Sequence, residues 1–315
     1  MNDLLPYQRA MMIYSKDKNL RCEMTQPKVA IVTGASRGAG KGIALALGSK
    51  GMTVYVTGRS SQIGLAVGAD GSILPGTVYE TAQQVTEAGG KGIAVICDHS
   101  DDQQTATLFA QVIKEQGRLD ILVNNAAFIH HQLIEPMPFW EKELDAVNLI
   151  DVGLRSAYVA SWHAAKIMAK QGSGLIMFSS SYGANCYMHG PAYGAQKAGV
   201  DKLAHDMAID LKEVGVNTIS IWMGPLLTER IDAAAAVRKE QYQSLIDIAE
   251  TPQFIGEIVY AVACDPKANE ISGHTVISAE IAQQRYQLSD INGKQPPSYR
   301  HTLGSPPKPN PVVVY

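Results

Sequence analysis

Residues 28–43 read Lys-Val-Ala-Ile-Val-Thr-Gly-Ala-Ser-Arg-Gly-Ala-Gly-Lys-Gly-Ile, and this stretch limits the possible folds more than any other. Val29 to Thr33 is a short apolar, β-branched run, the mark of a buried strand. It runs directly into Gly34, Gly38 and Gly40, after which Ile43, Ala44 and Leu47 recur at helical spacing. A strand, a glycine turn and a helix in that order aim backbone N–H groups at a pyrophosphate. A tight turn without a ligand is the alternative, and the coincidence of three glycines with that context weighs against it.

The rest of the chain repeats the alternation. Apolar runs near 29–33, 52–57, 92–96, 120–123, 174–178, 217–221 and 274–277 predict strands. Amphipathic stretches near 38–50, 77–88, 102–116, 139–170, 191–214 and 250–264 predict helices. Alternating β and α implies an α/β, Rossmann-type, doubly wound parallel sheet of about seven strands with helices on both faces. Ligands then bind at the carboxyl ends of the strands. With 315 residues, 46% apolar and 18% charged, a single domain with a tail is expected, over residues 25–280. Residues 1–24 lack an apolar signal-peptide core and read as an extension, with Met24 a natural start before the first strand. Gly64 to Gly76 reads as a glycine-rich loop insert, and 281–315 as a polar, proline-rich tail lying on the surface or on a neighbour.

A net charge of −3 argues against a nucleic-acid partner, and no apolar run approaches the roughly 18 residues of a membrane span. Four scattered cysteines (Cys22, Cys97, Cys186, Cys264) without a C-x-x-C point to unpaired thiols in a reducing compartment, hence the cytoplasm.

Tyr193 and Lys197 stand four residues apart in Pro191-Ala-Tyr-Gly-Ala-Gln-Lys-Ala-Gly-Val, on one face of a predicted helix. A free phenol titrates near pH 10, too high for acid–base work at neutral pH. An ammonium one turn away favours the phenolate, so the pair can pass a proton near physiological pH. Tyr-x-x-x-Lys alone is common on surface helices and gains meaning from the glycine turn upstream.

The glycine spacing T-G-x-x-x-G-x-G, taken with Tyr193 and Lys197, resembles the classical short-chain dehydrogenase/reductase family over roughly residues 27–300. Asp120-Ile-Leu-Val-Asn-Asn-Ala-Ala is similar to the family's N-N-A-G strand end, with Ala127 replacing the glycine. Asn148 matches its structural and proton-relay asparagine, and Ser179-Ser180-Ser181 ends a strand where the family carries its catalytic serine. The twelve-residue step from Ser181 to Tyr193, the insert after Arg59 and the tail mark out a subgroup within it.

The resemblance implies an NAD(P)-dependent oxidoreductase acting between a carbonyl and a secondary alcohol. Tyr193 would be the general acid/base, and Ser181 would hydrogen-bond the substrate oxygen. Lys197 would lower the phenol's pKa and hold the nicotinamide ribose, and Asn148 would position a water. Counting along the strand from Gly174 favours Ser181, whereas the thirteen-residue spacing common in the family favours Ser180. Gly34, Ser36, Arg37, Gly38, Gly40, Asn125 and Ala126 are implied to contact the dinucleotide, together with Tyr193 and Lys197. Thr228 resembles the threonine that meets the nicotinamide carboxamide, although Met223-Gly224-Pro225 departs from the family's Pro-Gly. A homodimer or homotetramer through the two long central helices is implied as well.

Cofactor choice is read after the second strand, where an acidic residue would favour NAD(H). Thr57, Gly58, Arg59 and Ser60 stand there instead. Arg59, with Arg37, can pair with a 2′-phosphate, so NADP(H) is expected over NAD(H), unless Arg59 is only a surface charge. Asp98 matches the family aspartate that meets adenine, or it caps the helix beginning near Asp101. Residues 226–250 read as a substrate lid, smooth and apolar at Ala233 to Val237. Tyr187, Met188, His189 and Trp222 would add apolar wall, which suggests an apolar carbonyl or alcohol substrate. His130 and His131 are adjacent and expected to point apart, so no metal site is expected. A non-catalytic dinucleotide sensor on the same fold is the alternative, and a related epimerase is disfavoured because T-G-x-x-G-x-x-G is absent.

Overall fold

A computed structural model describes residues 28–64, 71, 73–237 and 239–314. The expected extension over 1–24 and the middle of the 64–76 insert lie outside the described residues. Seven strands, β1 (Val29–Val32), β2 (Thr53–Gly58), β3 (Lys91–Ile96), β4 (Ile121–Asn124), β5 (Gly174–Ser180), β6 (Val216–Trp222) and β7 (His274–Ile277), form one sheet. All neighbours are parallel and the order is β3-β2-β1-β4-β5-β6-β7. The chain reverses its direction of travel across the sheet between β1 and β4, and a crevice opens at such a switch point.

Burial on both faces explains why the central strands β1 and β4 are near-continuous apolar runs, whereas the edge strands β3 and β7 are partly exposed. Ala30 and Val32 of β1 point into one core, with Ile43 and Leu47 of α1 (Gly38–Ser49), Val78 and Val85 of α2 (Val78–Glu87), and Phe254 and Ile258 near the C-terminal end. Val29 and Ile31 point into the other, with Leu108 and Val112 of α3 (Asp102–Gln116), Ala160 and Ala164 of α4 (Ser156–Gln171), and Val200 and Ala204 of α5 (Pro191–Leu211). Each fully buried Val, Leu, Ile or Phe contributes about 1.5–3 kcal/mol, so these two layers hold the sheet.

The helix expected over 139–170 starts later and is not uniform. A 3₁₀ turn (Leu144–Val147), a short helical turn (Asn148–Ile150) and a π turn (Asp151–Arg155) precede α4. Pro136 and Pro138 keep the preceding segment in turns, with the Glu141 N–H donating to the Pro138 carbonyl. The segment 226–250, expected as a lid, is helical: α6 (Glu229–Val237) and α7 (Lys239–Ile248) run through it, and α8 (Pro252–Cys264) follows. Its two ends meet, because Leu226 and Glu250 form a parallel bridge in which the Leu227 N–H donates to the Glu250 carbonyl at 2.9 Å.

The C-terminal segment carries α9 (Ser278–Ile281) and α10 (Arg300–Leu303) and folds back over the carboxyl end of the sheet. Tyr299 and Leu303 pack with Tyr182 and Trp222, and the Tyr299 N–H donates to the Tyr182 hydroxyl at 3.0 Å. Arg300 clamps Glu280 with two hydrogen bonds of 2.8 and 2.6 Å. Cys97 and Cys186 are free thiols, but Cys264 is disulfide-bonded, against the expectation of unpaired thiols throughout; spacing alone does not reveal pairing. Among the described residues no helix is long and apolar enough to cross a membrane.

Candidate active site

The glycine turn sits at the switch point, as its sequence context demands. Gly34 and Gly38 adopt φ of +64° and +59°, a region open to glycine at little cost. A Cβ on Gly34 would lie 2.8 Å from the Ala126 Cα, so the turn abuts the end of β4. Asn125 braces this junction. Its side-chain amide donates to the Thr33 and Gly34 carbonyls at 3.0 and 3.1 Å, and its carbonyl accepts from Ser179. The Asn125 and Ala126 amides both donate to the Thr33 hydroxyl. Those groups are therefore committed to the scaffold.

The turn fits a dinucleotide pyrophosphate. It opens a twelve-residue helix whose first amides and dipole attract anions. An anion of the chain itself already sits there: the Gly38 N–H donates to the Glu229 carboxylate at 2.8 Å. Thr228 precedes that glutamate and lies over the same turn, its methyl 3.8 Å from where a Cβ on Gly38 would stand.

Arg37 and Arg59, expected to read a 2′-phosphate, stand differently. Arg37 donates to the Pro75 and Gly76 carbonyls and to the Ser60 hydroxyl, which ties the glycine turn to the end of the insert and leaves its other guanidinium nitrogen uncommitted by these bonds. Arg59 is 61% exposed and its guanidinium lies 3.8 Å from the Asp98 carboxylate. Burial opposes ionisation of Asp98, but the Ser100 N–H and hydroxyl, with Arg59, hold its carboxyl below the usual range. Asp98 does not cap α3; Asp101 does, accepting from the Gln103 and Gln104 amides.

The residues expected to carry the acid–base chemistry converge across the end of β5 and α5. The Ser181 Oγ and Tyr193 hydroxyl are 2.9 Å apart. Ser180 instead turns into the interior and donates to the Lys197 carbonyl at 3.3 Å. Lys197 Nζ lies 5.4 Å from the Tyr193 ring centroid and donates to the Ser179 carbonyl at 3.1 Å. Burial pushes the Tyr193 phenol above its ordinary range, with the Ser181 hydrogen bond working against it. The expected lowering by Lys197 does not prevail: the cost of taking a phenolate out of water is the largest influence on Tyr193. Burial also brings Lys197 down to about 8, opposed by Asp201.

Asp201, unremarked in the sequence, completes the face one turn beyond Lys197. Its buried carboxylate accepts from the Ser220 hydroxyl at 2.5 Å and the Trp222 indole at 2.7 Å. Trp222 is therefore a buried support below the site and not a wall of it. Asn148 stands half-buried just before the π turn, and such turns recur at functional sites.

A cleft of about 330 Å³ runs between Leu133–Pro138 and Tyr187–Gly190, with Lys142 beside it. His189 crosses it edge-on to the Tyr193 ring, centroids 5.0 Å apart, and holds φ of +59°. His130 and His131 do not point apart; their rings are 4.5 Å apart, and with Glu143 they bring three ligand atoms within 4.8 Å of one another. Both His130 nitrogens are engaged, however: Nδ1 accepts the Gln132 N–H and Nε2 meets Asp145 at 2.7 Å.

Comparison with known proteins matches residues 28–239 to the model of the short chain dehydrogenases. The chain is 38% identical over 285 residues to human dehydrogenase/reductase SDR family member 1, covering 86% of each chain. It is 30% identical over 215 residues to a 3beta-hydroxysteroid dehydrogenase of Mediterraneibacter gnavus, covering 67% of this chain and 71% of that one. A 3-oxoacyl-[acyl-carrier-protein] reductase of Synechocystis is 30% identical over 249 residues, covering 79% of this chain and 94% of the relative.

Proposed function

The chain belongs to the short-chain dehydrogenase/reductase family, and from that premise we propose that it is an NADP(H)-preferring oxidoreductase of apolar carbonyl or secondary alcohol substrates. The observation that carries the reading is the 2.9 Å approach of the Ser181 and Tyr193 hydroxyls, with Lys197 one turn further along α5. The bound nicotinamide would supply or accept the hydride.

In the reductive direction the Tyr193 hydroxyl gives its proton to the substrate oxygen, and Ser181 donates a hydrogen bond to the same oxygen as charge develops there. The raised phenol stays protonated at neutral pH, which suits an acid. Lys197 keeps a positive charge beside it below about pH 8, and Asn148 holds the relay that restores the proton. Gly34, Ser36, Gly38 and Gly40 would cradle the dinucleotide, and Arg37 and Arg59 would take a 2′-phosphate. The exposed Arg59–Asp98 pair is worth little and yields readily to such a group.

An apolar substrate is supported by two relatives whose names are those of enzymes acting on hydroxysteroid and 3-oxoacyl groups; the cleft itself is mixed, with Glu135 and Lys142 beside Leu133, Ile134 and Met137. Assembly into a homodimer or homotetramer is supported by the exposed Tyr158 and Trp162 on α4.

Thermal unfolding with NADP⁺, NAD⁺ or neither tests the cofactor. A ligand bound only by the folded chain adds about 2.7 kcal/mol at a hundredfold excess over its Kd. NADP⁺ is expected to raise the midpoint more than NAD⁺. Tyr193→Phe is expected to lower carbonyl reduction by at least about a hundredfold while leaving that shift intact; full turnover by this variant would overturn the proposed role.

A further inference from the structure

The amide that a pyrophosphate would need at the glycine turn already serves a lid residue. The Gly38 N–H donates to the Glu229 Oε2 at 2.8 Å, and Lys41 Nζ stands 3.8 Å from the other oxygen of that carboxylate. Glu229 opens α6, so the first turn of the lid is anchored to the first turn of α1. Arg37 also feels the carboxylate's charge. The arrangement copies what an anionic ligand obtains at a helix N-terminus: a backbone donor, the helix dipole and a nearby ammonium. One N–H serves one acceptor well, and two anions repel at this distance.

We infer that Glu229 is a built-in competitor for the cofactor's pyrophosphate: its carboxylate and the diphosphate exclude one another at the Gly38 amide, so cofactor binding requires the first turn of the lid to let go. This rests on the dinucleotide reading above. The chain therefore binds cofactor more weakly than its glycine turn alone permits, and occupancy of that turn is coupled to the position of α6. No cysteine, metal or second site is needed for the coupling, only the displacement of one carboxylate.

The test is calorimetric titration of NADP⁺, NAD⁺ and ADP, the last carrying a pyrophosphate without nicotinamide, into the natural chain and Glu229→Gln. Losing a charge-assisted acceptor and the repulsion is expected to tighten both dinucleotides about tenfold, with ADP gaining a similar factor. Glu229→Ala should do the same, which separates the effect from any quirk of the glutamine side chain. Unchanged or weaker dinucleotide binding in both variants would overturn the competitor while leaving the cofactor reading intact. No dinucleotide binding by the natural chain or either variant would overturn both.

Discussion

A charged lysine in a protein interior is tolerated only beside a countercharge, and Asp201 supplies it for Lys197. Tyr193, Lys197 and Asp201 stand at successive four-residue steps on α5, so one helix face carries the acid, the cation and its anchor. Burial depresses Lys197 to about 8, so its charge is present below that pH and lost above it. Asp201→Asn removes the influence that opposes this fall. The alkaline limb of kcat/KM for carbonyl reduction should then move to lower pH, with roughly tenfold less activity at pH 8. A pH profile that stays in place would rule out this anchoring role. The spacing of Tyr193 and Lys197 was enough to pair them in the sequence. Asp201 was not visible there, because an aspartate in a helix ordinarily faces water and only the approach of Ser220 and Trp222 from β6 shows otherwise. The contact of Ser181 rather than Ser180 with Tyr193 likewise follows the alternation of an extended chain: Ser180 ends β5, and Ser181, the next residue and still extended, turns to the opposite side.

Most strands and helices were legible to within about two residues, because the buried central strands read as apolar runs; the helix expected from 139 was not, since α4 begins only at Ser156. Sequence periodicity gave no warning of the π turn at Asp151–Arg155 or of the helices in the lid. The first is a matter of packing, as Gly153 presses against the Gln196 side chain of α5. The second is set at Glu250, where the lid rejoins the frame. Its carboxyl is buried, accepts from Ser278 at 2.6 Å and has a second oxygen without a partner. Burial pushes it up to about 7. A carboxyl whose folded pKa lies above its unfolded value contributes most stability below the unfolded value, near pH 4.3, and loses it as pH rises through about 7. That loss amounts to as much as about 3 kcal/mol. Glu250→Gln, neutral throughout, should therefore gain stability on the natural chain between pH 5 and pH 8 in urea unfolding. Parallel curves for the two proteins would contradict this.

At the scale of the whole molecule, the parallel order sends every β-to-α connection to one end, and the C-terminal segment comes back to cover part of that end through Tyr299 and Leu303. The surface proposed for a second copy lies on α4, where Trp162 is 47% exposed under the Lys166 ammonium. Trp162→Glu is expected to weaken self-association by at least about tenfold in sedimentation, since central tryptophans often carry 2 kcal/mol or more of an interface. A natural chain that sediments as a monomer would remove the premise. The bridge between Leu226 and Glu250 has a consequence for how such a protein diversifies. The intervening segment leaves the frame and returns to it at a single point, so it is a cassette. Doubling the length of a flexible loop adds only about 0.6 kcal/mol of closure entropy. New segments can thus be exchanged between Leu226 and Glu250 over an unchanged frame, and descendants of one scaffold can diverge there without rebuilding the face of α5 that carries Tyr193 and Lys197.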